Sequence, residues 1–189
     1  KEFKTYIIEK GVTVLTNTAY VRKLIDGEIQ TSQGNIRYKK LINCAGLYAD
    51  KIAQDFGFAR DFVIIPFKGI YLKDETNHCA LPTNVYPVPN LANPFLGVHY
   101  TLTVKNEAKI GPTAIPAFWR ENYKGFDNFK VEELIQILFY EAKLFITNAF
   151  GFRSLAYSEV KKYFKSHLVA LARGLTHKID TKGFDHWST

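Results

Sequence analysis

Leu41-Ile42-Asn43-Cys44-Ala45-Gly46-Leu47-Tyr48-Ala49-Asp50 opens apolar, narrows to three small residues and then turns helix-favouring. An apolar run ending in Cys44-Ala45-Gly46 predicts a buried strand whose end approaches another group closely. Small side chains leave room there, and glycine accepts backbone angles that other residues resist. Leu47 to Phe56 predicts a short helix, and Gly57 supplies its stop.

Upstream of that stretch the chain alternates and turns. Val12-Thr13-Val14-Leu15 and Tyr20 to Ile25 predict strands. Asp26-Gly27 is a hairpin signal, followed by a strand at Glu28–Ser32, a second turn at Gln33-Gly34-Asn35, and alternation from Ile36 to Lys40. Downstream, all seven prolines lie within residues 61–126. Strands are predicted there at Phe62–Leu72, Asn84–Val88, Gly97–Val104 and Ala108–Gly111. Pro66 inside the first implies an edge or a bulge, because proline cannot donate to a ladder. Residues 127–174 are predicted helical. Val131, Leu134, Ile135, Leu138, Ala142, Phe145, Ile146 and Ala149 keep helical spacing up to Gly151. A second helix is predicted from about Leu155 to Arg173, with Lys161, Lys162 and Lys165 on its outer face and Gly174 as its stop. The tail from Leu175 is polar.

Composition narrows the class. The chain has 189 residues, 47% apolar and 23% charged, which excludes a disordered tail, a collagen-like fibre and a coiled-coil rod. Fifteen Phe, 11 Tyr and 2 Trp predict an aromatic-rich interior or pocket. The longest stretch free of Asp, Glu, Lys and Arg runs from Thr76 to Val104, and four prolines within it exclude a spanning helix. Cys44 and Cys79 are the only thiols, and without a signal peptide they fit a reducing compartment better than a disulfide scaffold. The net charge of +7 is spread along the chain, a weak attraction for small anions and not a nucleic-acid footprint. His78, His167, His177 and His186 read as surface residues, and no pair has metal-ligand spacing. No Walker A, G-x-G-x-x-G, C-x-x-C, H-E-x-x-H or G-x-S-x-G motif occurs. The chain contains no methionine and opens Lys1-Glu2-Phe3-Lys4, so it is expected to be an internal piece of a longer protein.

Leu41 to Asp50 resembles the "(V/I)-N-(A/C)-A-G-x-x-A-D" signature of FAD-dependent oxidoreductases of the D-amino-acid-oxidase type. Four further blocks follow in order: Ile65-Pro66-Phe67-Lys68-Gly69-Ile70-Tyr71, Val85-Tyr86-Pro87-Val88-Pro89, Pro94 to Thr101, and Gly111-Pro112-Thr113-Ala114. Together they resemble the L-2-hydroxyglutarate oxidase/dehydrogenase family from about Gly11 to Tyr163. Lys68 departs from the family's usual Arg and lacks the bidentate fork for a carboxylate.

The resemblance implies an α+β fold. Residues 1–60 would be the end of an FAD-binding Rossmann-type domain, a β-meander plus a returning strand and helix. Residues 61–189 would be a substrate domain, a mostly antiparallel sheet with flanking helices. The implied reaction is oxidation of an L-2-hydroxy acid by hydride transfer to FAD, with oxygen or a quinone as electron acceptor. Another flavin enzyme acting on amino acids or glycerol 3-phosphate, or a non-catalytic binding module, are the alternatives. The location expected is cytoplasmic, with peripheral attachment of the parent at the inner membrane as an extension. The isolated piece is expected to hold FAD weakly and to be inactive.

Residue by residue, the resemblance implies that the backbone of Val21 meets the adenine. It places Cys44, Ala45 and Gly46 near the cofactor's phosphates and ribose. His99 is either a core histidine or an active-site group, and in the second case either the base for the hydroxyl proton or a residue that orients substrate. Lys68 is a candidate carboxylate partner or a solvated strand-end lysine. Tyr71 and Tyr86 are candidate hydroxyl donors or sheet fillers, and Thr101 is the weakest of the substrate candidates. No metal is implied.

Overall fold

A computed structural model describes residues 2–76, 81–91, 93–176 and 179–188. The chain divides into two units, Lys1–Ile64 and Ile65–Thr189.

The first unit is built from α1 (Glu2–Glu9), the strands β1 (Tyr20–Lys23), β2 (Glu28–Thr31) and β3 (Gly34–Arg37), a 3-10 turn (Gly46–Tyr48) and α2 (Ala49–Asp55). The strands form an antiparallel meander in the order β1-β2-β3. Gly27 closes the first hairpin at φ +82, the left-handed geometry that makes Asp-Gly a hairpin signal. Two carboxylates of α2 hold the unit together. Asp55 accepts the Lys23 N–H at 2.6 Å and the Tyr20 hydroxyl. These bonds, the tyrosine's first, hold its carboxyl below the usual range. Asp50 is buried and accepts the Ile64 N–H at 3.0 Å.

Two expected strands are absent here. Residues 12–15 and 41–45 carry no ladder, and Ile42 is 85% exposed. A strand needs a neighbour, and no described strand lies alongside either segment. At 41–45 local side-chain bonds shape the chain instead. Asn43 donates from Nδ2 to the Ala49 carbonyl at 2.8 Å and accepts the Ala45 N–H on Oδ1 at 3.2 Å. The helix α1 escaped the sequence reading, although Phe3, Tyr6 and Ile7 keep helical spacing, and it buries none of its residues.

The second unit contains β4 (Phe67–Asp74), β5 (His99–Leu102), β6 (Ala108–Pro116), α3 (Val131–Thr147), α4 (Phe152–Lys161), α5 (Lys165–Arg173) and β7 (Phe184–Ser188). All pairings in its sheet are antiparallel, in the order β5-β6-β4-β7. One face packs against α5. Leu72, Tyr100, Ile110, Leu168, Ala172 and Phe184 are fully buried in this core. Each large apolar side chain there contributes roughly 1.5–3 kcal/mol.

Several boundaries differ from the sequence reading. Pro66 precedes β4, which is an inner strand, and its carbonyl accepts the Ala117 N–H. Asn84–Val88 shrinks to a single bridge between Val85 and Tyr100, because Pro87 has no N–H to continue it. The helix α3 stops at Thr147, where Asn148 turns left-handed at φ +49, before Gly151 is reached. The predicted second helix is broken between Lys161 and Lys165. The break lets α5 bring Leu168 and Ala172 into the core while α4 inserts Glu159. Gly174 stays right-handed. The polar tail supplies β7, which pairs along the outer side of β4 and anchors through buried Phe184.

Lys162 is not on a solvent face. It is 7% exposed and its ammonium binds Glu159 Oε1 at 2.6 Å. The other oxygen of Glu159 accepts the Ala114 N–H at 2.8 Å. Pairing with β5 ends at Gly111, so this carboxylate serves a backbone group of β6 beyond the end of that ladder.

On α3, Glu141 lies one turn past buried Ile137, and its Oε1 is buried without a hydrogen-bond partner in the described residues. Burial pushes its carboxyl up to about 7. The unfolded chain releases that proton near the ordinary value of 4.5. Stability contributed by the protonated form is therefore present in acid and lost as pH rises towards about 7. Urea denaturation at about pH 5 and about pH 8 should show a larger loss for the wild type than for Glu141→Gln. Equal losses would contradict the burial.

Candidate functional site

Ile70 faces Thr113 and Leu72 faces Ile110, so Gly111 and Pro112 together oppose Tyr71. This β-bulge gives the Tyr71 ring a recess. Gly111 sits at φ +148, and a Cβ there would meet the Ile70 carbonyl oxygen and the Tyr71 ring, each at 2.8 Å. A Cβ on Gly69 would lie 3.0 Å from Pro112 and 3.4 Å from the same ring. Gly111 has no room for a side chain between the Ile70 carbonyl and the Tyr71 ring, and Gly69 is kept small chiefly by Pro112.

Strand alternation then sorts the side chains onto two faces. Leu72, Tyr100 and Ile110 point to the helix-packed core. Tyr71, His99 and Thr101 take the opposite face, and so does Lys109, the register partner of Thr101. Val85, the bridge partner of Tyr100, packs on the core, so its neighbour Tyr86 joins the His99 face.

The groups on that face touch. The Tyr86 ring stacks on the imidazole of His99 at 4.4 Å and 29°, and Tyr71 meets it edge-on at 6.4 Å. His99 is 4% exposed, and its Nδ1 lies 2.9 Å from the Gly97 carbonyl oxygen. A carbonyl can only accept, so Nδ1 carries the hydrogen; in the neutral ring Nε2 then keeps its lone pair. Burial, and then the nearby Tyr86 hydroxyl, push the Tyr71 phenol up, which keeps it a neutral donor. Lys109 places its ammonium 5.9 Å from the Tyr71 ring centroid.

His99, Tyr71 and Tyr86 are thus brought together, with Thr101 on the same face. Lys68 is not. It alternates with Ile70 and Leu72 onto the core-side face, and its Nζ donates to Asn122 Oδ1 at 3.2 Å. Lys68 and Tyr71 are three positions apart, an odd step that sends them to opposite sides. The cation near the cluster is Lys109, which the sequence reading missed. Its signal was present, since Lys109 alternates with Ala108 and Ile110, but the register with Thr101 was needed to place it.

In the first unit Val21 is the extra residue of a bulge in β1, without a cross-strand partner and half exposed. Cys44 is an exposed free thiol. Gly46 turns at φ +53, and a Cβ added there would meet nothing within 4 Å. Ala45 is half-buried beside it. An open glycine bend and an unpaired strand residue offer backbone surface to a bound group, the chemistry a dinucleotide requires.

Among the described residues no three His, Cys, Asp or Glu are grouped to hold a metal, and no helix is long and apolar enough to cross a membrane. His186 is exposed and His167 half-buried. His78, Cys79 and His177 lie outside the described residues.

With this geometry in place, comparison with known proteins supplies the family. The FAD dependent oxidoreductase family profile matches residues 2–154, and the chain belongs to that family. It is 39% identical over 155 residues to an L-2-hydroxyglutarate dehydrogenase of Indibacter alkaliphilus, a match covering 81% of this chain and 35% of that protein. It is 34% identical over 177 residues to the mitochondrial L-2-hydroxyglutarate dehydrogenase of Caenorhabditis briggsae, covering 93% and 37%. The chain therefore spans little more than a third of those relatives. Among solved structures, glycine oxidase from Bacillus cereus aligns with a TM-score of 0.49 at 18% identity, over 72% of this chain and 35% of that one.

The tautomer of His99 is directly testable. Nitrogen-15 spectra of the full-length protein at about pH 8, where an ordinary imidazole is neutral, should show Nδ1 protonated and Nε2 bare. The reverse pattern would remove the Gly97 contact and free Nδ1 instead.

Proposed function

We propose that this chain forms part of an oxidoreductase that converts an L-2-hydroxy acid, foremost L-2-hydroxyglutarate, to the 2-oxo acid. Support comes from the family, from the names of its relatives and above all from His99, a buried imidazole with one nitrogen engaged and the other left basic.

The chemistry asks two things of C2. Its hydroxyl must lose a proton while its hydrogen leaves with both bonding electrons. Bound FAD supplies the acceptor for that hydride. His99 Nε2 takes the hydroxyl proton, and the Gly97 carbonyl steadies the imidazolium that results. The stacked Tyr86 holds the ring plane. The Tyr71 hydroxyl donates to a substrate carboxylate, and the Lys109 ammonium attracts the second charge of a diacid. Thr101 lies on the same strand face and offers a hydroxyl. Lys68, bonded to Asn122 on the other face of the sheet, takes no part in this reading.

FAD would be held in part by the first unit. Val21 would offer its backbone to the adenine. The bend at Cys44, Ala45 and Gly46 would lie along the phosphates and ribose. Electrons would pass on to oxygen or a quinone. A quinone acceptor would draw the full-length protein to a membrane surface, and oxygen would leave it in the cytoplasm.

Anaerobic addition of L-2-hydroxyglutarate to the full-length, flavin-loaded protein should bleach the flavin band, and the D isomer should not. His99→Ala should slow the bleaching by about 100-fold or more, the usual contribution of a general base. A flavin left unbleached by either isomer would discard this substrate. Normal bleaching by the variant would remove His99 from the proton transfer.

A further inference from the structure

Along α4, Ser154, Tyr157, Ser158 and Lys161 follow the i, i+3, i+4, i+7 rule, which puts them on one helical stripe. That polar stripe lines an open-mouthed cavity of about 550 Å³, whose wall also includes Pro87, Val88, Phe95 and Val98. None of Tyr71, Tyr86 or His99 lines it, so it is separate from the candidate substrate face. Lys162 and His167 add two further nitrogen-bearing groups to its wall, and no described lining residue is Asp or Glu.

The state of Lys162 is the second observation. Its side chain is nine-tenths buried, and among the described residues its ammonium bonds only to Glu159 Oε1, at 2.6 Å. An ammonium has three donors. Glu159 in turn shares its charge with the Ala114 N–H. Two donors of a buried cation are therefore left at the wall of a cavity that contains no competing carboxylate. Beside it the Lys161 ammonium lies 4.3 Å from the centroid of the Tyr157 ring, held in place by the ring face. The lining also carries apolar side chains, among them Val88, Leu171 and Leu175.

We propose that this cavity is a second binding site, for a small organic anion. Its oxyanion, a carboxylate or phosphate, sits against Lys161, Lys162 and His167. Its carbon body lies against Val88, Leu171 and Leu175. A cavity of several hundred Å³ suits a metabolite better than a bare ion. The assignment does not depend on the oxidoreductase reading.

Calorimetric titration of the full-length protein tests it, with phenyl phosphate, benzoate, inorganic phosphate and neutral benzyl alcohol as probes. Phenyl phosphate or benzoate should bind saturably and more tightly than inorganic phosphate, and benzyl alcohol should not bind. Which of the two aromatic anions binds better identifies the oxyanion. Lys161→Glu, on an exposed side chain that leaves the Glu159–Lys162 pair intact, should weaken the binding by about fivefold or more. His99→Ala should leave it unchanged. Absence of saturable binding, indifference to Lys161→Glu, or loss of binding in His99→Ala would each overturn the proposal. The last result would place the anion on the His99 face.

Discussion

Tyr71 and the two glycines around it set the geometry on which the second unit depends. Because β6 spends two residues against this one residue of β4, its alternation is re-phased at Gly111–Pro112. Ile110 and Thr113 then both face the covered side, although they lie three positions apart, a step that regular alternation sends to opposite faces. Under regular alternation through Gly111 and Pro112, Thr113 would turn outward and Pro112 would enter the core. The same bulge opens the recess that receives the tyrosine ring, with Gly111 at φ +148 and no room for a Cβ. One irregularity therefore keeps the core closed on one face and builds the aromatic cluster around His99 on the other.

A second theme is the use of side-chain carboxylates and amides to complete backbone hydrogen bonding where ladders stop. Glu159 serves Ala114 beyond the end of β5, Asp50 serves Ile64, and Asp55 serves Lys23. Asn84 does the same for Leu102 at 2.7 Å. Each of these residues meets a backbone donor that no ladder serves, a structural task even though their types invite catalytic assignments. Glu159 also requires a cation, and Lys162 supplies it. Removing Lys162 alone would leave a buried charge, whereas the pair together is tolerated.

Much of this fold was legible in the sequence. Asp26-Gly27 marked its hairpin because only residues that accept positive φ close such a turn. The stripe on α3 marked a long helix, and three of the four strand candidates between 61 and 126 overlap observed strands. What was illegible depended on distant partners. Leu41 to Ala45 has strand composition but no neighbouring strand among the described residues. In contrast, Phe184 to Ser188 reads as a polar tail yet pairs along β4. At the candidate site, the sequence nominated His99, Tyr71 and Tyr86 one by one, and their ring contacts followed only from the fold. The separation of Lys68 from them, and the arrival of Lys109, followed only from strand register. Lys162 read as solvent-facing because a helix wheel cannot show which lysine has a buried carboxylate one turn away.

The claim that carries the most is that substrate binds on the sheet face of His99 and Tyr71. It is tested most directly by a crystal structure of the full-length, flavin-loaded protein with glutarate, a diacid that lacks the hydroxyl and cannot turn over. The account predicts a carboxylate oxygen within about 3.2 Å of the Tyr71 hydroxyl. It also places the second carboxylate towards Lys109 and the central carbons beside His99 Nε2. Glutarate bound on the opposite face, at Lys68 and Asn122, would contradict it.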